Sequence, residues 1–431
     1  VEQDFCSEVE MKMMMITKTR WWQGVLASVM VFAGIGSGNA EDWAQWRGPR
    51  RDGISSETGL LAKWPEDGPK LVWQVNDLGN GYSTPSVADG RVYLLRNKDI
   101  DNEEVIALSA TDGKLIWSTR IGSVGANRGP QYPAARSTPT IDGDKLYALG
   151  SNGDFACLET ATGKVVWSKS FRDDFAGAPG SWAYAESPLV DGDLVISSPG
   201  GASATVLALN KSDGSVAWQA PLDMGDEASY SSPVACTIHG VKQYVLFLQK
   251  GVVGLDAGTG KMLWRYEGTA QGSPANVATP VVNGPFVYTG ASRSQGGLVE
   301  IDATGNAKEV YSDKTLPTGM GGSVLVDGHL YGTGGQTMMC VEFASGKVVW
   351  QDRGIGAASV CYADGRLYLH GDNNDIAMVA ASPAGFELIS RFTPPNAPER
   401  GNSKAWTYPV IANGKLFVRD MGTVWCFDIG G

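Results

Sequence analysis

The chain has 431 residues, 43% apolar, 19% charged and 9% aromatic, a balance that supports a large buried core and excludes a disordered protein. Its formal charge is −11 with no run of Lys and Arg, which argues against a nucleic-acid partner, and its three histidines argue against a His-rich metal centre. The 56 glycines have no three-residue period, so collagen is excluded and the excess points to turns.

Lys18 and Arg20 precede an apolar run over residues 24–35, and small residues follow up to Gly38-Asn39-Ala40. This pattern predicts a secretory signal peptide over residues 1–40, cleaved near Ala40, with translation expected to begin at Met11 or a nearby methionine. The expected product is periplasmic or secreted and spans no membrane, because no other segment approaches the ~20 apolar residues of a transmembrane helix. Residues 41–70 form an N-terminal extension containing Trp43 and Trp46.

From residue 71 the chain repeats two phrases. The opening phrase is a hydroxyl residue, usually Pro, a few apolar residues, then Asp-Gly or Asn-Gly. It runs from Thr84-Pro85 to Asp89-Gly90 and recurs at Thr138, Ser187, Ser232, Thr279, Ser323, Ser359 and Tyr408, eight times in all. The closing phrase is an apolar strand, a Gly turn and a strand bearing Trp, as in LSATDGKLIW ending at Trp117 and LETATGKVVW ending at Trp167. Trp218, Trp264 and Trp350 end further copies, Tyr311 ends a degenerate one, and VAASPAGFELI has no aromatic at that place. The eighth unit lacks a closing strand, whereas an orphan closing strand, residues 71–75, precedes the first.

Each unit reads as four short strands, 84–88, 91–95, 104–109 and 114–119 in the first, with Asp-Gly pairs suited to type I′ hairpins. The expected fold is all-β: an eight-bladed β-propeller of four-stranded antiparallel blades over residues 71–431, closed by strand 71–75. Merging the degenerate units at 285–311 and 366–389 would leave seven blades. Cys157, Cys340 and Cys426 share one repeat position with Ala107, Ala208 and Gly254, so buried free thiols are expected there. The acidic clusters at 99–104 and 372–375 lack EF-hand spacing and read as solvated turns, with His370 as a loop residue.

Two sets of connections differ. One is uniformly tight, and the other is long and varied, at 122–137, 171–186, 221–231, 268–278 and 393–407, so a site is expected on that loop face. Two residues before each Pro equivalent stand Ser83, Ser137, Glu186, Ser231, Ala278, Gly322, Ala358 and Thr407. Glu186, the one carboxylate of that column, is expected to project into the channel or to pair with Arg136. Arg136, Tyr184, Tyr230, Asn276, Lys404 and Trp406 share its frame and compose a polar ligand pocket.

The repeated closing phrase resembles the tryptophan docking motif of the pyrroloquinoline quinone (PQQ) quinoprotein propellers, over residues 71–431. That superfamily includes alcohol dehydrogenases and non-catalytic propellers such as the outer-membrane protein assembly lipoprotein. The segment DWAQWRGP at 42–49 is similar to the start of secreted members, and its two Trp are expected to plug or cover the propeller. The resemblance implies a calcium held by a Glu and an Asn, which Glu186 and Asn276 match in type and place. It also implies a disulfide between adjacent cysteines, and this chain has no Cys-Cys pair. With no catalytic residue identified, the expected function is a non-catalytic, monomeric binding or scaffold protein of the cell envelope. Its partner would be a protein, peptide or glycan on the loop face. The alternative is a PQQ- and calcium-dependent dehydrogenase using Arg136, Glu186, Asn276, Lys404 and Trp406 around the cofactor.

Overall fold

In the computed structural model, residues 41–99, 101–126, 135–272, 275–401 and 403–431 are described, and the expected signal peptide lies outside them. The first repeat folds into Ser86–Ala88, Arg91–Asn97, Glu103–Ser109 and Leu115–Gly122, paired in that order as one antiparallel sheet. Eight such four-stranded sheets follow one another as the blades of a propeller. The eighth is built from Val410–Ala412, Lys415–Asp420 and Thr423–Asp428, and it takes Lys70–Val75 as its outer strand. Trp73 lies opposite Cys426 and Val75 opposite Val424, so the N-terminal strand closes the ring as expected.

The opening phrase has a circumferential role. Thr138 N donates to Ser187 Oγ and Ser187 N to Ser232 Oγ, each at 2.9 Å, and Tyr408 N donates to Thr84 Oγ1 at 3.1 Å across the closure. Hydroxyls at the starts of the inner strands thus link neighbouring blades near the axis. The first hairpins divide into two kinds. Asp89, His239, Asp327, Asp364 and Asn413 adopt positive φ ahead of a positive-φ Gly, the type I′ pattern. At Gly143, Gly192 and Gly284 only the glycine is positive and it occupies the first loop position, the type II′ arrangement rather than the expected one.

The closing phrase works between blades. The indole N–H of Trp73, Trp117, Trp167 and Trp218 donates to the carbonyl just beyond the third strand of the next blade, at Ala110, Thr160, Lys211 and Ala257 (2.8–3.2 Å). Tyr311 reaches Phe343 O through its hydroxyl at 2.8 Å, and Trp350 reaches Ser382 O at 2.8 Å. A Cβ on Gly113, Gly163, Gly214 or Gly260 would come within 2.8 Å of the preceding blade's Trp ring, so the turn must be glycine for the indole to lie flat on it. Opposite each docking aromatic stands the small-residue column, where Cys157, Cys340 and Cys426 are buried free thiols as expected.

Two blades depart from this rule. Trp264 turns back into its own blade and donates to Gln243 Oε1 at 2.6 Å, across Gly254, where a Cβ would lie 2.1 Å from its nitrogen. In the seventh blade Ser390 holds the docking position, opposite Met378. Trp64, from the extension, fills the gap. Its N–H donates to Ser390 Oγ at 2.9 Å, and its ring meets Phe392 and Tyr368 at 5.4 and 5.8 Å.

The extension also fills the channel. Trp43 bridges Val87 of the first blade, and Ala44 O accepts from Ile141 N of the second. Arg51 donates to Ser187 O and Pro188 O of the third and to Pro233 O of the fourth, at 2.8–3.0 Å. Trp46 Nε1 donates to Thr279 Oγ1 of the fifth blade at 2.8 Å, and Arg47 to Ser323 O of the sixth at 2.5 Å. Ser55 N reaches Tyr362 O of the seventh, and Glu57 accepts from Asn413 N and Gly414 N of the eighth. One short segment therefore touches every blade, and the two tryptophans act as the plug expected of them.

Candidate functional site

In a strand, side chains alternate between the two faces, so the facing of a residue at a strand start depends on a single position. Tyr82, Arg136, Ala185, Tyr230, Val277 and Trp406 each stand one residue before the column of Ser83, Ser137, Glu186, Ser231, Ala278 and Thr407. All six line a cavity of about 300 Å³. Trp182, Ala275, Met320 and Tyr408 from the long connections, and Ser292 and Arg293 from a turn of the fifth blade, complete its wall, with Trp46 of the plug beneath. Trp46 meets Tyr408 edge-on at 4.7 Å, Trp182 meets Tyr230 at 5.8 Å, and Tyr82 meets Trp406 at 5.1 Å. The cavity belongs to the loop face, where the sequence placed a site.

Glu186 does not project into this cavity. It is buried in the wall, where Ser197 Oγ and Ser198 N (2.5 Å) donate to it. Burial pushes its carboxyl above the usual carboxylate range, and the cation that opposes this is Arg51 of the plug rather than Arg136. Arg51 itself is lowered to about 9 by burial, which leaves it charged at neutral pH. Arg136 does line the cavity. Burial lowers its guanidinium, and Tyr82, Glu103 and Tyr230 counter that shift.

Asn276 is also behind the cavity wall. Its Nδ2 donates to Leu248 O and Gln249 O at 2.7 and 3.0 Å, joining the fourth and fifth blades. Lys404 is exposed on the loop face, where it acts on the Asp372 carboxyl that burial raises to about 6. Tyr184 is buried and donates to Pro199 O at 2.8 Å. Of the expected pocket residues, the structure therefore gathers Arg136, Tyr230 and Trp406 at one cavity and leaves Glu186, Asn276, Lys404 and Tyr184 outside it.

Sequence reasoning missed several groups. Glu103 and Glu104 are not solvated turn residues. Glu103 accepts from Ser151 N and Oγ, and burial pushes it up to about 7, while Glu104 pairs with Arg96 at 2.7 Å. His370 lies at a strand end rather than in a loop, fully buried between Thr407 O and Asn374 Oδ1, and burial lowers its pKa. Asp375 is bound by Arg391 and Thr393. Arg47 and Arg51 carried one signal, two cations four residues apart in a Trp-rich segment.

A closed ring of four-stranded blades docked by tryptophan, with a loop-face cavity above a plugged channel, defines a quinoprotein-type propeller. A model for PQQ-type repeats described as outer membrane protein assembly factor BamB matches residues 53–136 and 101–352, more than half the chain. The chain belongs to that family. Outer membrane protein assembly factor BamB of Moranella endobia is 30% identical over 122 residues, 27% of this chain and 30% of that protein. Quinohemoprotein alcohol dehydrogenase ADH IIB of Pseudomonas putida is 29% identical over 224 residues, 48% of this chain and 30% of the enzyme. The chain thus matches under a third of the length of either curated relative. Among solved structures, BamB of Moraxella catarrhalis superposes with a TM-score of 0.59 at 15% identity, over 83% of this chain and 97% of that one. Quinohemoprotein alcohol dehydrogenase of Comamonas testosteroni gives 0.64 at 14%, over 90% and 81%. At these identities the likeness is one of fold.

A calcium-quinone centre can be tested against the residues present. Asn276 Oδ1 is a buried acceptor with no hydrogen-bond partner, an atom a cation would satisfy. Yet the Glu186 carboxylate is engaged by two serines beside a buried arginine, and no Asp or Glu lines the cavity. Calcium takes six to eight oxygen ligands as a rule. No group of three His, Cys, Asp or Glu side chains suited to a metal stands among the described residues. The residues do not fit that centre.

Proposed function

We propose that the protein is a non-catalytic binding propeller of the cell envelope that holds a partner on its loop face. The observation that carries this reading is the cavity itself. It is built on long connections over a plug, and its lining contains aromatics and arginines but no carboxylate, histidine or cysteine. Acid-base and nucleophilic chemistry need such groups within hydrogen-bond reach of the substrate, whereas aromatic and Arg side chains are those enriched in binding hot spots. Kinship with proteins named as assembly factors supports the same reading, as does an export signal over residues 1–40. No helix among the described residues is long and apolar enough to cross a membrane.

A photo-crosslinking residue at Lys404, on the loop face, should give a discrete adduct in cells, and one at Lys114, in a tight turn of the opposite face, should not. Trp406→Asp should abolish the Lys404 adduct. Equal adducts from both faces, or dye-linked alcohol oxidation by the purified protein with added PQQ and calcium, would overturn the reading.

A further inference from the structure

The chemistry of the cavity narrows what the partner presents. In a chain with 46 acidic and 35 basic residues, the only charged side chains lining the cavity are Arg136 and Arg293. Arg136 is half-buried among Tyr82, Tyr230 and Trp182, where bulk water solvates a cation poorly. The carboxylate that acts on it, Glu103, is held by Ser151 and pushed up to about 7, so it is an incomplete counter-ion at neutral pH. Trp182 Nε1 is a buried donor with no hydrogen-bond partner in the same wall. At the rim, Arg293 adopts φ +69°, a conformation that favours glycine, and a strained backbone of this kind is found where a side chain must be presented.

We infer that this cavity anchors a peptide carboxylate, C-terminal or side-chain, next to a bulky apolar residue of the partner. This rests on the binding-propeller reading. A planar guanidinium can take both carboxylate oxygens, and an indole N–H beside it supplies another donor. Trp46, Trp406 and Tyr408 supply flat apolar surface for the neighbouring side chain. About 300 Å³ suits one or two side chains rather than a folded segment, so the group enters as an anchor while the loops contact the remainder. A cation would be repelled by both arginines, and a neutral sugar would leave them without a counter-charge.

The probes are acetyl-Ala-Ala-Phe as the free acid, the same peptide as its amide, benzoate and maltoheptaose, titrated into the purified protein with tryptophan fluorescence and calorimetry as readouts. The free acid should bind saturably, and the amide at least ~10-fold more weakly. Arg136→Gln should weaken the acid by ~10-fold or more and leave the amide unchanged, and Arg293→Gln should weaken it a few-fold. Trp182→Phe keeps the ring and loses the N–H, so it tests the same site if Arg136→Gln folds poorly. It should lower affinity for the acid alone. Equal binding of acid and amide, tighter binding of maltoheptaose, or benzoate matching the peptide would each overturn the assignment. If selectivity fails while the Lys404 adduct persists, only the anchor is lost. If both fail, the binding reading falls with it.

Discussion

The repeat wall and the N-terminal extension solve the same problems by different means. In the wall, each blade carries its own docking aromatic and offers a Gly turn to its neighbour, so the blades are interchangeable parts. The extension supplies what the repeats lack: Trp73 for the last blade, Trp64 for the seventh, Arg47 and Arg51 along the axis, and Trp46 under the cavity. Sequence repetition therefore accounts for the wall. Closure, channel and cavity floor depend on about thirty non-repeated residues, and substitutions there should cost more than their number implies.

Arg51→Met is the severest expected break. It removes donors to three buried carbonyls and strips Glu186 of its nearby cation. Leaving a buried charge uncompensated typically costs about 3–5 kcal/mol, and the orphaned carbonyls place this variant at the upper end. Urea unfolding measures the loss, and Arg51→Met with Glu186→Gln should recover part of it. A cost under about 1 kcal/mol would mean that the plug is decoration rather than part of the fold.

Trp64→Ala comes next. If Trp64 replaces a missing docking residue, its loss should equal that of Trp117→Ala, about 3–4 kcal/mol for a large buried aromatic. A loss below about 1 kcal/mol, with Trp117→Ala remaining costly, would show that the seventh blade does without an aromatic.

What was legible in the sequence follows the same division. Eight hairpin-bearing units, ring closure by residues 71–75 and the small column at Cys157, Cys340 and Cys426 all stand in the repeat, where period and spacing are redundant. The site was legible only in part. The loop face, Arg136, Tyr230 and Trp406 came through, yet Glu186 was assigned to the channel although its neighbour Ala185 faces it. Glu186 lies ahead of Leu189–Asp191, outside the ladder that fixes alternation, and there a single-residue offset reverses the facing. Glu103 eluded the reading for another reason, because its partner Ser151 comes from the next repeat, 48 residues away. Trp264 keeps the motif's spelling and breaks its geometry, since blade five lacks the Gly-Lys turn to receive it.

Glu103 tests the wall by pH. Its folded pKa of about 7 lies above the ~4.5 of an unfolded carboxyl, so the folded form keeps a proton that the unfolded chain has released. Stability from this group is therefore full below about pH 4.5 and falls as pH rises to about 7, by up to roughly 3 kcal/mol. Glu103→Gln should match the wild type at pH 5 and exceed it at pH 8 in urea unfolding. Arg136 and Asp154 act on the same carboxyl in opposite directions, and Asp372 and Asp420 are also raised, so the informative quantity is the difference between variant and wild type. A parallel offset at both pH values would show that Glu103 is ionised in the fold.

The smallest effect separates backbone strain from docking. Gly163 and Gly143 both adopt positive φ, at +71° and +58°, so alanine at either incurs the left-handed penalty of about 1 kcal/mol. Their surroundings differ. A Cβ at Gly163 would lie 2.5 Å from the Trp117 ring, whereas at Gly143 nothing stands within 4 Å. Gly163→Ala must therefore displace the indole from Thr160 O and should cost about 1–2 kcal/mol more than Gly143→Ala. If that excess belongs to docking, it should vanish when Trp117 is already alanine, which a double-mutant cycle measures directly. Additive costs would mean that the glycine serves only its turn, and that the recurrent Gly-Lys-x-x-Trp phrase reflects hairpin geometry rather than contact between blades.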